Sequence, residues 1–279
     1  MSNLDGLGYR GATVLLTGGA SGLGEAAARL LGEWGATVHI VDIAEPKVPH
    51  ASFTRLDLSD FDAVRTACAK LRDQIGALDF LFPIAGIPPH AAGPLHCMMV
   101  NYAGTRLFTE EMLPIVKEGG AVGLIASTAG RYWQNFVADH LETLKISRPE
   151  DARAFFEAHP DKLRDGYSPS KELLIVWVQQ VALDLARRHI RINTIAPCPI
   201  ATPFMEEAAK SLGQEFVDNY PYPLLGRMAS ADEQAQSLLL LSSPLNAAVT
   251  GTTLMTDQGY AGGLVTGMLE PARPPSRAA

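Results

Sequence analysis

The chain has 279 residues, 47% hydrophobic and 19% charged, a composition that fits a packed globular protein and excludes a disordered one. Twenty-three Lys and Arg against 30 Asp and Glu leave a net charge of −7, which argues against gripping a phosphate backbone over an extended surface. Three cysteines (Cys68, Cys97, Cys198) without CxxC spacing are too few for a disulfide framework and fit a reducing compartment. Residues 1–10 are polar and lack the apolar core of a secretory signal, and the longest apolar run, 173–178, falls far short of the ~20 residues of a membrane span. The expected setting is therefore cytoplasmic, with neither nucleic acid nor membrane as a partner.

In chain order, residues 12–17 form a short apolar run entering a glycine-rich turn. Residues 22–34 have helical spacing, with Leu23, Ala26, Ala27, Leu30 and Leu31 on one side. Residues 36–42 make a second β-branched run and 52–56 a weaker third. Residues 61–75 are helical, with Asp60 near the start, and 78–82 form another strand. A long helix is expected over 94–116, a strand over 120–127, a second long helix over 167–189 and a strand over 190–196. A helix over 230–241 and a strand over 252–256 close the pattern. Strands apolar on both faces and separated by helices predict an α/β, doubly wound parallel sheet with helices on both faces and right-handed crossovers. Ligands of such a sheet bind at the carboxyl ends of the strands. Two stretches break the rhythm: residues 131–166, an insertion rich in charge and aromatics with helical spacing over 149–158, and the proline-bearing tail 270–279, expected to fray. Neither reads as a separate unit, so 1–279 is expected to be one domain.

Thr17-Gly18-Gly19-Ala20-Ser21-Gly22-Leu23-Gly24 lies between the first strand and the first helix. Glycines there let the backbone turn tightly against a pyrophosphate, while the helix start supplies free N–H groups and a positive dipole end. Gly18, Ser21, Gly22, Leu23 and Gly24 are the candidate contacts, and the fold they imply is Rossmann-like. Asp42 ends the second strand, and a carboxylate there accepts bonds from both ribose hydroxyls and repels a 2′-phosphate. Lys47, past Pro46, is the nearest cation along the chain. This favours NAD over NADP.

Tyr167 and Lys171 stand four apart at the start of the second long helix and so share a face. An ammonium beside a phenol stabilises the phenolate and is expected to lower its pKa toward the working range, as a general acid/base for an alcohol–ketone pair requires.

With these residues, the chain resembles a short-chain dehydrogenase/reductase. The resemblance rests on TGGASGLG at 17–24, Asp42, Asp57-Leu58, Ala85-Gly86, VNYAG at 100–104, IASTAG at 125–130, YSPSK at 167–171 and RINTIAP at 191–197, all in family order. It implies a tetrad of Asn101, Ser127, Tyr167 and Lys171. Tyr167 would exchange the proton, Ser127 hold the substrate oxygen, Lys171 tune the phenol and bind the nicotinamide ribose, and Asn101 hold a water leading from Lys171 to solvent. It also implies cofactor contacts at Asp57, Leu58, Ala85, Gly86, Pro197, Ile200 and Thr202, and a homodimer or homotetramer. The chain departs from the family at Pro83-Ile84, at Cys198-Pro199 and in the distance from Ser127 to Tyr167, stretched by the 131–166 insertion. That insertion and INTIAPCPIATPFM resemble the bacterial 3α-hydroxysteroid dehydrogenase/carbonyl reductase subgroup.

Other constellations are set aside. His90 and His96 lack further ligands, so no metal site is expected. Cys198 has no nearby base in the sequence and reads as a small filler. The stripe Leu173, Leu174, Trp177 and Val181 reads as core or subunit contact. Of the insertion's aromatics, Tyr132, Trp133, Phe136, Phe155 and Phe156, most are expected to pack. The substrate expected is an apolar, ring-bearing secondary alcohol or its ketone, in a pocket walled by the insertion, by 88–94 and by 203–222. The alternatives are a sugar or hydroxy-acid dehydrogenase on the same scaffold, or an NAD-binding regulator without turnover.

Overall fold

Short apolar strands and amphipathic helices alternate as the pattern dictates. The computed structural model describes residues 7–89 and 92–272. In chain order they form β1 (Thr13–Thr17), α1 (Gly22–Glu33), β2 (Thr37–Asp42), β3 (Ser52–Arg55), α2 (Phe61–Ile75), β4 (Leu78–Pro83) and α3 (Pro94–Met98). A π-helical turn (Met99–Gly104) leads into α4 (Thr105–Met112) and β5 (Val116–Ile125). Then come α5 (Val137–Leu144), α6 (Pro149–Ala158), α7 (Pro160–Leu163), α8 (Tyr167–Ala186), β6 (Arg191–Pro197) and β7 (Ile200–Ala201). The chain continues through α9 (Pro203–Leu212), α10 (Gln214–Asp218), β8 (Ala229–Ser230), α11 (Ala231–Ser242), β9 (Thr253–Thr256) and α12 (Tyr260–Val265).

Seven strands join in the order β3-β2-β1-β4-β5-β6-β9, every pair parallel. The doubly wound expectation holds. The winding reverses between β1 and β4, and this switch point fixes where a crevice opens at the strand ends. Each face carries its own core. On one side α2, α4 and α8 pack through Leu71, Phe108, Leu174 and Trp177; on the other α1 and α11 pack through Leu31, Leu238 and Leu239. The Leu173–Trp177 stripe is thus core. Local chemistry sets the ends of the elements. Asp60 caps α2 by accepting from the Ala63 N–H at 3.0 Å, and Ser230 with Glu233 forms a capping box on α11.

Three expectations need correction. The helix expected over 94–116 is broken by the π-turn, and β5 starts at Val116 rather than 120. Gly119, at φ 83°, and a register shift between Leu78 and Phe80 let the strand begin in an irregular stretch that reads as helix end. The insertion holds three helices, α5, α6 and α7, where only 149–158 was expected. The region 203–222, expected as a wall of the pocket, contains α9 and α10. The frayed-tail expectation falls mainly on 273–279, outside the described residues, as does His90. Among the described residues no helix is long and apolar enough to cross a membrane, and no three His, Cys, Asp or Glu gather where they could hold a metal.

Candidate active site

The carboxyl ends of β1, β2, β4, β5 and β6 open into one cavity of about 1040 Å³. That is at the upper end of single small-molecule sites, as a dinucleotide and a substrate together require. It runs from the glycine turn to the start of α8, and every predicted cofactor contact lines it: Gly18 to Gly24 except Gly19, Asp42, Asp57, Leu58, Ala85, Gly86, Pro197, Ile200 and Thr202.

The glycine turn is built for close approach. A Cβ on Gly24 would sit 2.0 Å from the Gly18 carbonyl oxygen, and one on Gly18, at φ 78°, 2.8 Å from the Ala85 backbone. The turn therefore folds directly over the start of α1, whose N-cap residue Ser21 makes no side-chain bond to it. Asp42 links this turn to the end of β2. Its Oδ2 accepts from the Ala20 N–H and its Oδ1 from the Ala44 N–H, both at 2.9 Å. Thr17 Oγ1 accepts from the Ala85 N–H at 3.0 Å, tying the ends of β1 and β4 despite the Pro83-Ile84 departure. Asp57 accepts from the Ser59 N–H and hydroxyl, both at 2.8 Å. The residues thus fit a dinucleotide: a cradle that side chains would fill, an unobstructed helix start and an acid placed for ribose. One cation escaped the sequence reading. Arg55 stands opposite Asp42 in the β2–β3 register, but its guanidinium donates to the Ile43 carbonyl at 2.5 Å and lies 5.7 Å from the Phe53 ring centre.

The tetrad positions converge from three places. Ser127 follows β5, Tyr167 and Lys171 open α8, and Asn101 lies in the π-turn packed against α8. Ser127 Oγ accepts from the Ala129 N–H at 3.1 Å, and its hydroxyl lies close enough to the Tyr167 phenol to act on it electrostatically. Lys171 Nζ donates to the Ile125 carbonyl at 3.0 Å and lies 5.7 Å from the Tyr167 ring centre. Asn101 is clipped to the β4–α3 loop: Oδ1 accepts from the Ile87 N–H at 2.8 Å, and Nδ2 donates to the Ile87 carbonyl at 2.9 Å and to Cys97 Sγ at 3.2 Å. Short π-turns inside helices recur at functional sites because they re-aim one residue out of the regular ladder.

The expected lowering of the tyrosine pKa is reversed. Burial pushes the Tyr167 phenol up to about 12, and the neighbouring Ser127 hydroxyl pulls it down by less. Burial also lowers Lys171 to about 8. Both shifts favour the neutral forms of a pair removed from water.

The rest of the cavity divides by chemistry. Phe204, Met205, Phe216 and Tyr220 from the 203–222 stretch form an apolar wall, while Tyr222 stacks behind Tyr220 at 5.2 Å between ring centres. Cys198 is buried beside Tyr220 and Tyr260, and burial raises its thiol to about 11, which suits a filler. The insertion's aromatics split. Trp133, Phe155 and Phe156 pack into the core, whereas Tyr132 and Phe136 line the cavity. The sequence reading also missed Arg164, Asp165 and Glu172 from around α8, and Tyr260 and Ala272 from the C-terminal end. The one available signal was Glu172, a carboxylate directly after Lys171 in a helix otherwise apolar on that side.

A family profile described as short chain dehydrogenase matches residues 12–138, and one described as enoyl-(acyl carrier protein) reductase matches residues 160–261. Coniferyl-alcohol dehydrogenase of Pseudomonas sp. (strain HR199 / DSM 7063) is 32% identical over 249 residues, covering 89% of this chain and 96% of that one. A 2,5-dichloro-2,5-cyclohexadiene-1,4-diol dehydrogenase of Sphingobium indicum is 28% identical over 268 residues, covering 90% and 97%. Among solved structures, the 3-alpha-hydroxysteroid dehydrogenase from Pseudomonas sp. B-0831, complexed with NADH, matches with a TM-score of 0.77 at 24% identity, covering 93% of this chain and all of that one. At that identity the likeness speaks for the fold.

Proposed function

The chain belongs to the short-chain dehydrogenase family and is an oxidoreductase acting on alcohols, and on that premise we propose that it interconverts an apolar, ring-bearing secondary alcohol and its ketone with NAD. The observation that carries this reading is the Tyr167 phenol, with Ser127 beside it and Lys171 5.7 Å from its ring centre, opening into the same cavity as the glycine turn. Gly18–Gly24 and Asp42 would hold NAD, which would supply the hydride acceptor.

The protein's part is positioning and proton transfer. Ser127 Oγ holds the substrate oxygen beside the Tyr167 hydroxyl. In oxidation the Tyr167 phenolate takes the hydroxyl proton as hydride leaves carbon; in reduction the phenol returns it. Lys171, fixed by the Ile125 carbonyl, supports the phenolate electrostatically and holds the nicotinamide ribose. Asn101, held at Ile87, serves the water that links Lys171 to solvent. The apolar wall of Phe204, Met205 and Phe216 supports a ring-bearing substrate, and the names of the coniferyl-alcohol and cyclohexadiene-diol relatives point the same way.

NAD reduction against steroid, terpene, coniferyl and other aryl, alicyclic, sugar and hydroxy-acid alcohols tests the reading. Turnover is expected with ring-bearing apolar alcohols; turnover confined to sugars or hydroxy acids, or none at all, overturns it. Cofactor choice is a second expected outcome. The Asp42 carboxylate should make kcat/KM with NAD roughly 100-fold higher than with NADP, because a 2′-phosphate would face it in a partly desolvated site. Asp42→Asn should narrow that gap about tenfold. Equal or better use of NADP by the unaltered protein would remove Asp42 from this role.

A further inference from the structure

Arg164 precedes the catalytic helix in a backbone conformation that arginine ordinarily avoids. Its φ of 49° and ψ of −125° are those of the first central residue of a type II′ turn, where glycine is the usual occupant. The Gly166 N–H closes this turn onto the Leu163 carbonyl at 2.8 Å. A non-glycine residue keeps such a conformation only where its surroundings over-determine it.

The surroundings here are specific. The Arg164 guanidinium donates to Glu172 Oε2, and it lies 4.3 Å from the Phe136 ring centre. Glu172 is 1% exposed, and the same oxygen meets His140 Nε2 at 3.0 Å. A carboxylate buried this deeply persists only when paired. Its two partners come from opposite ends of the insertion, His140 from α5 and Arg164 from the turn after α7. Glu172 itself sits on α8 next to Lys171. Phe136, Arg164 and Glu172 all line the cavity.

The insertion has separate anchors farther out. Arg106 donates to the Leu144 and Ile146 carbonyls at 3.3 and 3.1 Å, and Arg65 pairs with Glu150 at 2.8 Å. These hold the α6 end on α4 and α2. Glu172 is the anchor nearest the reacting groups.

Resting on the alcohol dehydrogenase reading above, we propose that Glu172 is a positioning residue: through Arg164 and His140 it holds the Phe136–Arg164 wall over Tyr167 and thereby sets how tightly a bulky ring-bearing alcohol is retained. The guanidinium is committed inward to Glu172 and held at the face of Phe136, 4.3 Å from its ring centre, so that its charge is spent within the wall. The strained turn is the cost of delivering that guanidinium from a position three residues before Tyr167.

Two variants test this, Glu172→Gln and the double variant Glu172→Gln with Arg164→Gly. The second removes the buried carboxylate and the strained turn together, so it is expected to fold even if the first does not. Hydrogen–deuterium exchange on the full-length protein should be faster by on the order of tenfold in residues 136–144 and 160–166 of either variant, and unchanged in 149–158, which the outer anchors hold. With the ring-bearing alcohol best turned over by the unaltered enzyme, KM should rise about tenfold while kcat stays within about twofold. Unchanged exchange in 136–144 and 160–166, or a fall in kcat at constant KM, overturns the proposal. Absence of alcohol turnover by the unaltered protein would overturn the dehydrogenase reading instead, and the exchange pattern would still decide whether Glu172 fastens the insertion.

Discussion

Tyr167→Phe is expected to lower kcat by about 10³-fold while leaving NADH affinity within about threefold, the scale of removing a general acid/base from an otherwise intact site. The substitution keeps the ring, which packs against Phe204 at 6.1 Å between centres, and deletes only the hydroxyl beside Ser127. The fold and the glycine turn are untouched, so binding and chemistry separate. Steady-state rates and fluorescence titration of NADH measure the two, and a variant with near-normal turnover would end the proton-transfer role. The pH profile follows from the same site. Burial raises the Tyr167 phenol to about 12 and lowers Lys171 to about 8. Oxidation uses the phenolate, so its kcat/KM should climb as pH rises through the neutral range; reduction uses the phenol, which stays protonated there, so its kcat/KM should stay flat. Lys171 limits the climb, since above about pH 8 it loses the charge that supports the phenolate. Oxidation rates falling from neutral toward alkaline pH would contradict this assignment.

Gly24→Ala should weaken NADH binding by at least about 100-fold, or roughly 3 kcal/mol. The added methyl would stand 2.0 Å from the Gly18 carbonyl oxygen and 2.6 Å from its carbon. Neither is the end of a flexible side chain, so the turn must move away from the start of α1. The loss is expected in cofactor binding because the same turn lines the cavity, and any cost to the core, which Leu23 and Ala26 join, shows as a change in melting. Titration with NADH and a thermal melt distinguish the outcomes. Binding within about threefold of the unaltered protein would show that the cradle tolerates a side chain.

The sheet, its main helices and the place of Tyr167 and Lys171 in the cavity were legible because each had a local signature: apolar runs, a strand–glycine–helix junction, and an (i, i+4) Tyr–Lys pair. The doubly wound parallel sheet followed from the alternation because right-handed crossovers leave few choices, while its strand order is seen only in the pairing itself. What could not be read were relations between distant residues. Arg55 lies opposite Asp42 only through the β2–β3 register, and Glu172 meets His140 and Arg164 only because the insertion doubles back onto α8. The direction of the tyrosine shift was misjudged for a related reason: adjacency of charges is visible along a helix, and depth of burial is not. The break in the 94–116 helix also has no compositional mark, since Met99–Gly104 has ordinary helix-compatible residues apart from Gly104.

That break implies that catalysis here depends on chain length as well as on residue identity. A π-turn accommodates one residue more than the α-helical ladder needs. Deleting a single amino acid between Met99 and Gly104 should let the ladder run straight through, with Leu107, Phe108 and Met112 still buried on α4, and yield a rod with normal thermal stability. Asn101 would then be rotated off Ile87, and the shortened protein would be well folded but inert. Indels at this spot are therefore a route by which a lineage could silence the enzyme and keep its architecture.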